Sequence, residues 1–260
     1  MDRKTSSLGI ILAMLLFAFI SVIAGQDASS TKAAQGIVPP SAISQPDTSI
    51  TTPVTVTVTN SSDVVNGDTT DIAALISNPG PDGISFREAL NASNGATGPK
   101  SITFHPSLSG TAITFAADGD LLLLSSGELT MNGDINQDGE PDITLDGHLG
   151  QDATVAGAGP VIVSSNNMIS GLNLADFAVV TIAIACPNAE CGTKLFANNT
   201  IINNHITAPR GLGISITTLG LRPVEEAPLL SDITWQDTVI TGNTIVTKRS
   251  TMYIDPAVGG

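Results

Sequence analysis

Val54-Thr55-Val56-Thr57-Val58-Thr59 alternates strictly between apolar and hydroxyl side chains, the period of a strand with one buried face. Upstream, residues 25–52 are rich in Ser, Thr, Ala, Gln and Pro and have no apolar period, which predicts a disordered linker. Ahead of that linker, Met1-Asp2-Arg3-Lys4 leads into an apolar run from Leu8 to Ile23, with Val22 and Ala24 as small residues before Gly25. The pattern predicts a signal peptide over 1–24, cut after Ala24. The run is short of the roughly 20 residues that span a bilayer, so a retained membrane anchor is the weaker reading.

Ser85-Phe86-Arg87-Glu88 has the spacing of a capping box, and Phe86, Ala89 and Leu90 fall on one face of the helix it would open. That predicts one short helix ending before Asn94-Gly95, and no other. The rest is a string of short apolar groups between turn residues. They include Ile102-Thr103-Phe104, Ile113-Thr114-Phe115, Leu121 to Leu124, Leu129-Thr130-Met131, Ile143-Thr144-Leu145 and Val161-Ile162-Val163. Leu172-Asn173-Leu174, Val179 to Ile184, Ile201-Ile202, Ile214-Ser215-Ile216, Ile233-Thr234-Trp235, Val239-Ile240 and Ile245-Val246 continue the series. Strands this short and this regularly spaced predict an all-β chain, and rungs that repeat favour a stacked solenoid over a sandwich.

One internal repeat supports the solenoid. Thr200-Ile201-Ile202-Asn203-Asn204-His205-Ile206 overlays Val239-Ile240-Thr241-Gly242-Asn243-Thr244-Ile245. The shared Asn falls at a corner between two apolar strands, where stacked Asn side chains can hydrogen-bond from rung to rung. Residues 208–230, with Pro209, Pro223 and Pro228, read as a loop thrown out between rungs.

The 260 residues carry 10 Lys+Arg against 24 Asp+Glu, a formal charge of −14. That excludes the basic footprint of a nucleic-acid binder. Hydrophobic residues make up 42% and charged residues 13%, too apolar for a disordered chain. Cys186 and Cys191 are the only cysteines; in an exported protein a close pair reads as a local disulfide.

Several segments resemble a known family. Val54 to Thr59, Ile84-Ser85-Phe86-Arg87-Glu88-Ala89-Leu90 and Ile102-Thr103-Phe104-His105-Pro106-Ser107-Leu108-Ser109-Gly110 occur in its order, followed by Gly133-Asp134-Ile135-Asn136-Gln137-Asp138-Gly139 and Ile143-Thr144-Leu145-Asp146-Gly147. Over about residues 54–147 the chain resembles the opening segment of bacterial CSLREA-domain surface proteins, which continue as right-handed parallel β-helices of the pectin-lyase-like kind. Ile84 stands where the family has its namesake Cys and Phe86 where it has Leu; both changes keep an apolar face. The resemblance implies a secreted or surface-attached protein with no established reaction, its helix capping the open end of the solenoid. The expected fold is therefore an all-β, right-handed parallel β-helix over 53–260 with one short N-terminal capping helix.

Asp134, Asn136, Asp138, Glu140 and Asp142 form the sharpest local motif. Side-chain oxygens at positions 1, 3, 5 and 9 and Gly139 at 6 match the first nine positions of a calcium loop, with the Glu140 carbonyl at 7. Leu145 stands at position 12 in place of the bidentate acid, and Asp146 lies beside it. The expectation is calcium in a structural role, against an Asp/Asn/Gly turn as the plainer reading.

Catalysis finds weaker support. Asp118/Asp120 and Asp142/Asp146 are the nearest approach to a glycosidase carboxylate pair. Arg210 and Lys248 are the scarce bases for a lyase, Asp146-Gly147-His148 resembles a pectinase step only faintly, and His105, His148 and His205 share no spacing. Asn60, Asn91 and Asn198 begin glycosylation sequons of the kind that arise by chance in such a composition. The expected function is a structural or adhesive surface module binding polysaccharide or a cell-surface component, with polysaccharide cleavage as the alternative. Neither nucleic acid nor, after signal cleavage, a membrane is an expected partner. The end at Asp255 to Gly260 lacks the closing cap of a solenoid, which suggests a fragment of something longer.

Overall fold

The computed structural model describes residues 51–115, 121–147, 157–185, 195–217, 234–249 and 251–254, all within the unit Ser49–Gly260. The signal segment, the linker up to residue 50, Asp118, Asp120, His148 and the Cys186/Cys191 pair lie outside the described residues. No helix among the described residues is long and apolar enough to cross a membrane.

The alternating segment forms β1 (Val54–Val58), with Val56 and Val58 buried. Two helices follow, α1 (Ile72–Ser77) and α2 (Phe86–Gly95). The strands then come in threes: β2 (Lys100–Phe104), β3 (Ala112–Thr114) and β4 (Leu123–Leu124); β5 (Leu129–Asn132), β6 (Ile143–Asp146) and β7 (Val161–Ile162); β8 (Met168–Ser170), β9 (Leu172–Ala175) and β10 (Val180–Ala185). Beyond them, β11 (Leu195–Ala197) precedes β12 (Thr200–Ile202), β13 (His205–Ala208) and β14 (Leu212–Thr217). In the same way β15 (Thr234–Gln236) precedes β16 (Val239–Thr241), β17 (Thr244–Thr247) and β18 (Met252–Ile254).

Every strand pairing among the described residues is parallel. The first sheet is ordered β1-β2-β5-β8-β12-β16, the second β3-β6-β9-β13-β17, the third β4-β7-β10-β14-β18, and β11 pairs with β15. The chain therefore visits the three large sheets in turn, and each visit adds a strand beside the one before. Within the first sheet each neighbouring pair keeps a single register, which puts Val56, Ile102, Met131, Ile169, Ile201 and Ile240 in one inward row. All but Ile240 are fully buried. The strands can be short because each lies beside a parallel neighbour in its sheet and buries alternate side chains. The overlay of 200–206 on 239–245 is the observed register: Thr200 pairs with Val239 and His205 with Thr244.

The helical region differs from expectation in two ways. Helix α2 runs through Asn94 and Gly95 and stops at Ala96. Helix α1 was not foreseen; Asp71 caps it by accepting from the Ala74 amide at 2.7 Å, and Ile72 and Leu75 anchor it in the core. Six residues give too little periodicity to register as a helix. The two helices meet where α2 ends: a Cβ on Gly95 would lie 2.0 Å from the Thr70 carbonyl, so only glycine fits there. Strands β8, β11 and β18 also went unforeseen; β8 and β11 have at most a pair of adjacent large apolar residues, while Met252-Tyr253-Ile254 of β18 is an apolar triplet missing from the expected strand series.

The capping box is present as read, and it does more than cap. Glu88 Oε2 accepts from the Ser85 amide at 2.8 Å, while Oε1 accepts from the Asn66 and Gly67 amides, both at 2.6 Å. Next to it, Arg87 grips Asp63 through Nε–Oδ1 (2.7 Å) and a second nitrogen to Oδ2 (2.9 Å), with its guanidinium carbon 5.8 Å from the Phe115 ring centre. These two side chains tie the loop ahead of α1 onto α2. Phe86 fills the apolar side, stacked on Phe104 at 6.1 Å and edge-on to Phe115 at 5.8 Å. Lys100 opens β2 almost fully buried, its ammonium donating to the Gly98 carbonyl at 2.8 Å just past the end of α2. Burial pulls its pKa down, and Glu128 opposes the shift.

Candidate functional surfaces

Of the three kinds of corner that the visiting order requires, the two that flank the first sheet carry columns of left-handed residues. Glu128, Asn166, Asn198 and Asp237 have φ of 52°, 63°, 56° and 50° at the corners leading into the first sheet. Gly171, Asn203 and Gly242 have φ of 60°, 55° and 66° at the corners leading out of it. Gly and Asn tolerate this conformation best, which is why Asn recurs along the chain.

Beside each left-handed column stands a ladder of buried amides. Asn199 Oδ1 accepts from both the backbone amide and Nδ2 of Asn167, each at 3.0 Å. On the other corner Asn243 Oδ1 accepts from the amide of Asn204 at 2.9 Å and from its Nδ2 at 3.0 Å. Asn204 Oδ1 in turn accepts from the Leu172 amide at 3.1 Å. The ladder expected at Asn204 and Asn243 is thus present, and a second one runs through Asn167 and Asn199. Thr238 follows Asn199 in that column, and its hydroxyl is buried without a hydrogen-bond partner.

The acidic motif is an insertion at the outgoing corner. Where the later strands of the first sheet turn into the second in one or two residues, Asp134 to Asp142 bulges out between β5 and β6, and its base is closed by the Asp142 amide on the Gly133 carbonyl at 3.0 Å. Asp134 accepts from the Asp138 and Gly139 amides at 3.2 and 2.9 Å, Asn136 from Asp138 at 2.9 Å, and Asp138 from Glu140 at 2.9 Å. Asp142 accepts from the Ile135 amide at 2.8 Å and from the Ser109 hydroxyl at 2.9 Å. The Ser109 hydroxyl, then the Asn136 and Ile135 amides, hold the Asp142 carboxyl below the ordinary aspartate range, against partial burial. Asp142 Oδ2 accepts a second amide, from Asn136 at 3.2 Å, whereas the oxygens of Asp134, Asn136 and Asp138 each accept one hydrogen bond and keep a lone pair that suits a hard cation. Among the described residues, no three acidic, His or Cys side chains already converge as a metal site. Leu145, at the twelfth position, is buried in β6 and supplies no ligand. Asp146 stays in that strand, paired in register with Thr114 and Ala175.

The remaining candidates disperse. His105 caps a 3-10 turn, its Nδ1 2.8 Å from the Ser107 hydroxyl. His205 lies exposed on the second sheet between Asn173 and Thr244, where it joins Glu140, Pro141 and Asn203 around a cleft of about 140 Å³. Lys248 is exposed near the end of β17, and Arg210 in the turn after β13. Asn60 and Asn198 spend their side-chain amides on the Asp82 carbonyl and Asn166 Oδ1, while Asn91 is exposed on α2.

What single-residue motifs miss is the outward face of the first sheet. Strand pairing puts Thr55, Ser101, Thr130, Met168, Thr200 and Val239 in one row. A parallel row holds Thr57 beside Thr103, then Asn132, Ser170, Ile202 and Thr241. Both rows are uncharged, and hydroxyl side chains occupy every place except Asn132, Met168, Ile202 and Val239. The signal was there as Thr-Val-Thr, Ser-Ile-Thr and Val-Ile-Thr, but only the register aligns those triplets. On the third sheet the outward Thr181, Ala183 and Ser215 are small and buried.

Comparison with family models, with curated proteins and with solved structures found no match to this chain.

Proposed function

We propose that the three sheets coil into one right-handed parallel β-helix and that the protein is an exported, non-catalytic adhesive module. The cyclic visiting order and the constant registers support the coil, and parallel crossovers are right-handed in nearly all proteins. The observation that carries the adhesive reading is the first sheet's outward face, two uncharged rows repeated strand after strand on a chain of net charge −14. Stacked rungs make extended binding faces without any reactive group. The apolar run at 8–23 and the CSLREA-like motifs argue for export to the cell surface. Calcium belongs to the same reading as a structural ion, held by Asp134, Asn136, Asp138, the Glu140 carbonyl and Asp142; it would pin the inserted loop to its corner.

The mature chain incubated with neutral and acidic polysaccharides, with calcium and with chelator, tests this. Retention on a neutral polymer without released products is expected; turnover to soluble products would replace the adhesive reading with a cleaving enzyme. In calorimetry the wild type should take up one calcium per chain and Asp134→Ala should not. No heat with millimolar calcium would remove the ion while leaving the adhesive reading in place.

A further inference from the structure

The two outward rows on the first sheet have the dimensions and chemistry of a template for ordered water. Adjacent strands lie about 4.8 Å apart, and outward residues along one strand about 6.7 Å apart. The in-step registers carry that two-dimensional spacing from β1 to β16 without a slip. Most positions are Thr or Ser, which present a hydroxyl on a short stem; Thr adds a methyl at a fixed distance and is stiff about χ1. Ordering such side chains against a solid costs little entropy compared with Lys, Gln or Glu. Thr57 and Thr103 hydrogen-bond to each other through their Oγ1 atoms at 3.0 Å, which fixes both side chains while each oxygen can still accept from water.

Charge selects the occupant. None of the chain's 24 acidic and 10 basic side chains stands in either row, so an ionic polymer or headgroup finds no counter-charge there. The rows also hold no aromatic ring, the platform on which sugar rings stack. What remains is a rigid array of methyl and hydroxyl groups that can hold water in a repeating pattern through hydrogen bonds. We propose that this face binds the surface of ice, with Thr55, Thr130 and Thr200 in one row and Thr57 and Thr103 in the other as its principal contacts. The proposal goes beyond adhesion to a polymer and does not require it.

Ice growth in the presence of the mature full-length chain tests the proposal. The wild type is expected to facet growing crystals, to open a gap between freezing and melting temperatures, and to partition into slowly grown ice. Thr130→Lys combined with Thr200→Lys should lose all three effects with an unchanged melting temperature by circular dichroism. Thr207→Lys, the same change on the second sheet, should keep them and serves as the control for folding. Unshaped crystals and exclusion of the wild type from ice would overturn the proposal, as would full activity in the double variant. Retention on a neutral polysaccharide with no effect on ice would overturn it too, and would leave the adhesive reading standing.

Discussion

Phe86→Ala is expected to destabilise the chain by about 3–5 kcal/mol, the usual cost of emptying a fully buried aromatic site. Phe86 has no exposed surface. It stacks on Phe104 and meets Phe115 edge-on, so truncation removes contacts to β2 and to the segment after β3 together. The same helix holds the Arg87–Asp63 pair and the three amides gathered by Glu88, which depend on α2 keeping its place. Urea unfolding followed by far-UV circular dichroism measures the loss. Because β1 and β2 are separated from β12 by β5 and β8 in the first sheet, hydrogen exchange should accelerate in β1 and β2 well before it changes around β12 and β13. The single Trp, Trp235, stacks on Phe196 in the strands β11 and β15, and its fluorescence reports the far rungs separately. A loss under about 1 kcal/mol would mean that α2 does not close the core as described.

The second large effect is expected at Asn204. Its amide donates to the Ile169 carbonyl at 3.0 Å and to the Ile202 carbonyl at 3.1 Å, while its oxygen accepts from the Leu172 amide. Asn204→Ala strands the Leu172 N–H and the Ile169 carbonyl in the interior. At about 1–3 kcal/mol for each of the two unpaired buried groups, the expected loss is about 2–6 kcal/mol. Thr238→Asn is the converse. It puts an amide beside Asn199 where an unpartnered hydroxyl now sits, and should raise stability by about 1 kcal/mol. Thermal unfolding of the two variants against the wild type decides both; an Asn204→Ala protein as stable as the parent would remove the ladder from the account of what holds the rungs in register.

Much of this arrangement was legible in one dimension. The capping box stood out because its two partners are three residues apart and its consequences are local. The Asn at the shared corner stood out because two rungs had kept the same sequence spacing. By contrast, the partners that give Glu88 and Arg87 their structural weight, Asn66, Gly67 and Asp63, lie more than twenty positions upstream. No pattern in the chain points to them. The ladder of Asn167 and Asn199 was missed because the shared pattern, Asn-Asn-x-Ile at 166–169 and 198–201, is only four residues long and Thr238 breaks the series.

The chain by itself determined the local preferences: an alternating first strand, a capped helix, short apolar strands, Asn and Gly at left-handed corners, and an acidic loop of calcium-like spacing. These follow from steric and hydrogen-bonding rules that act within a few residues. Apart from the repeat that lays 200–206 over 239–245, only the tertiary structure decided which strand lies beside which, because pairing partners are separated by 29 to 46 positions of variable loop. That pairing is what lines up Thr55, Ser101 and Thr130, and it creates a surface that no single rung possesses.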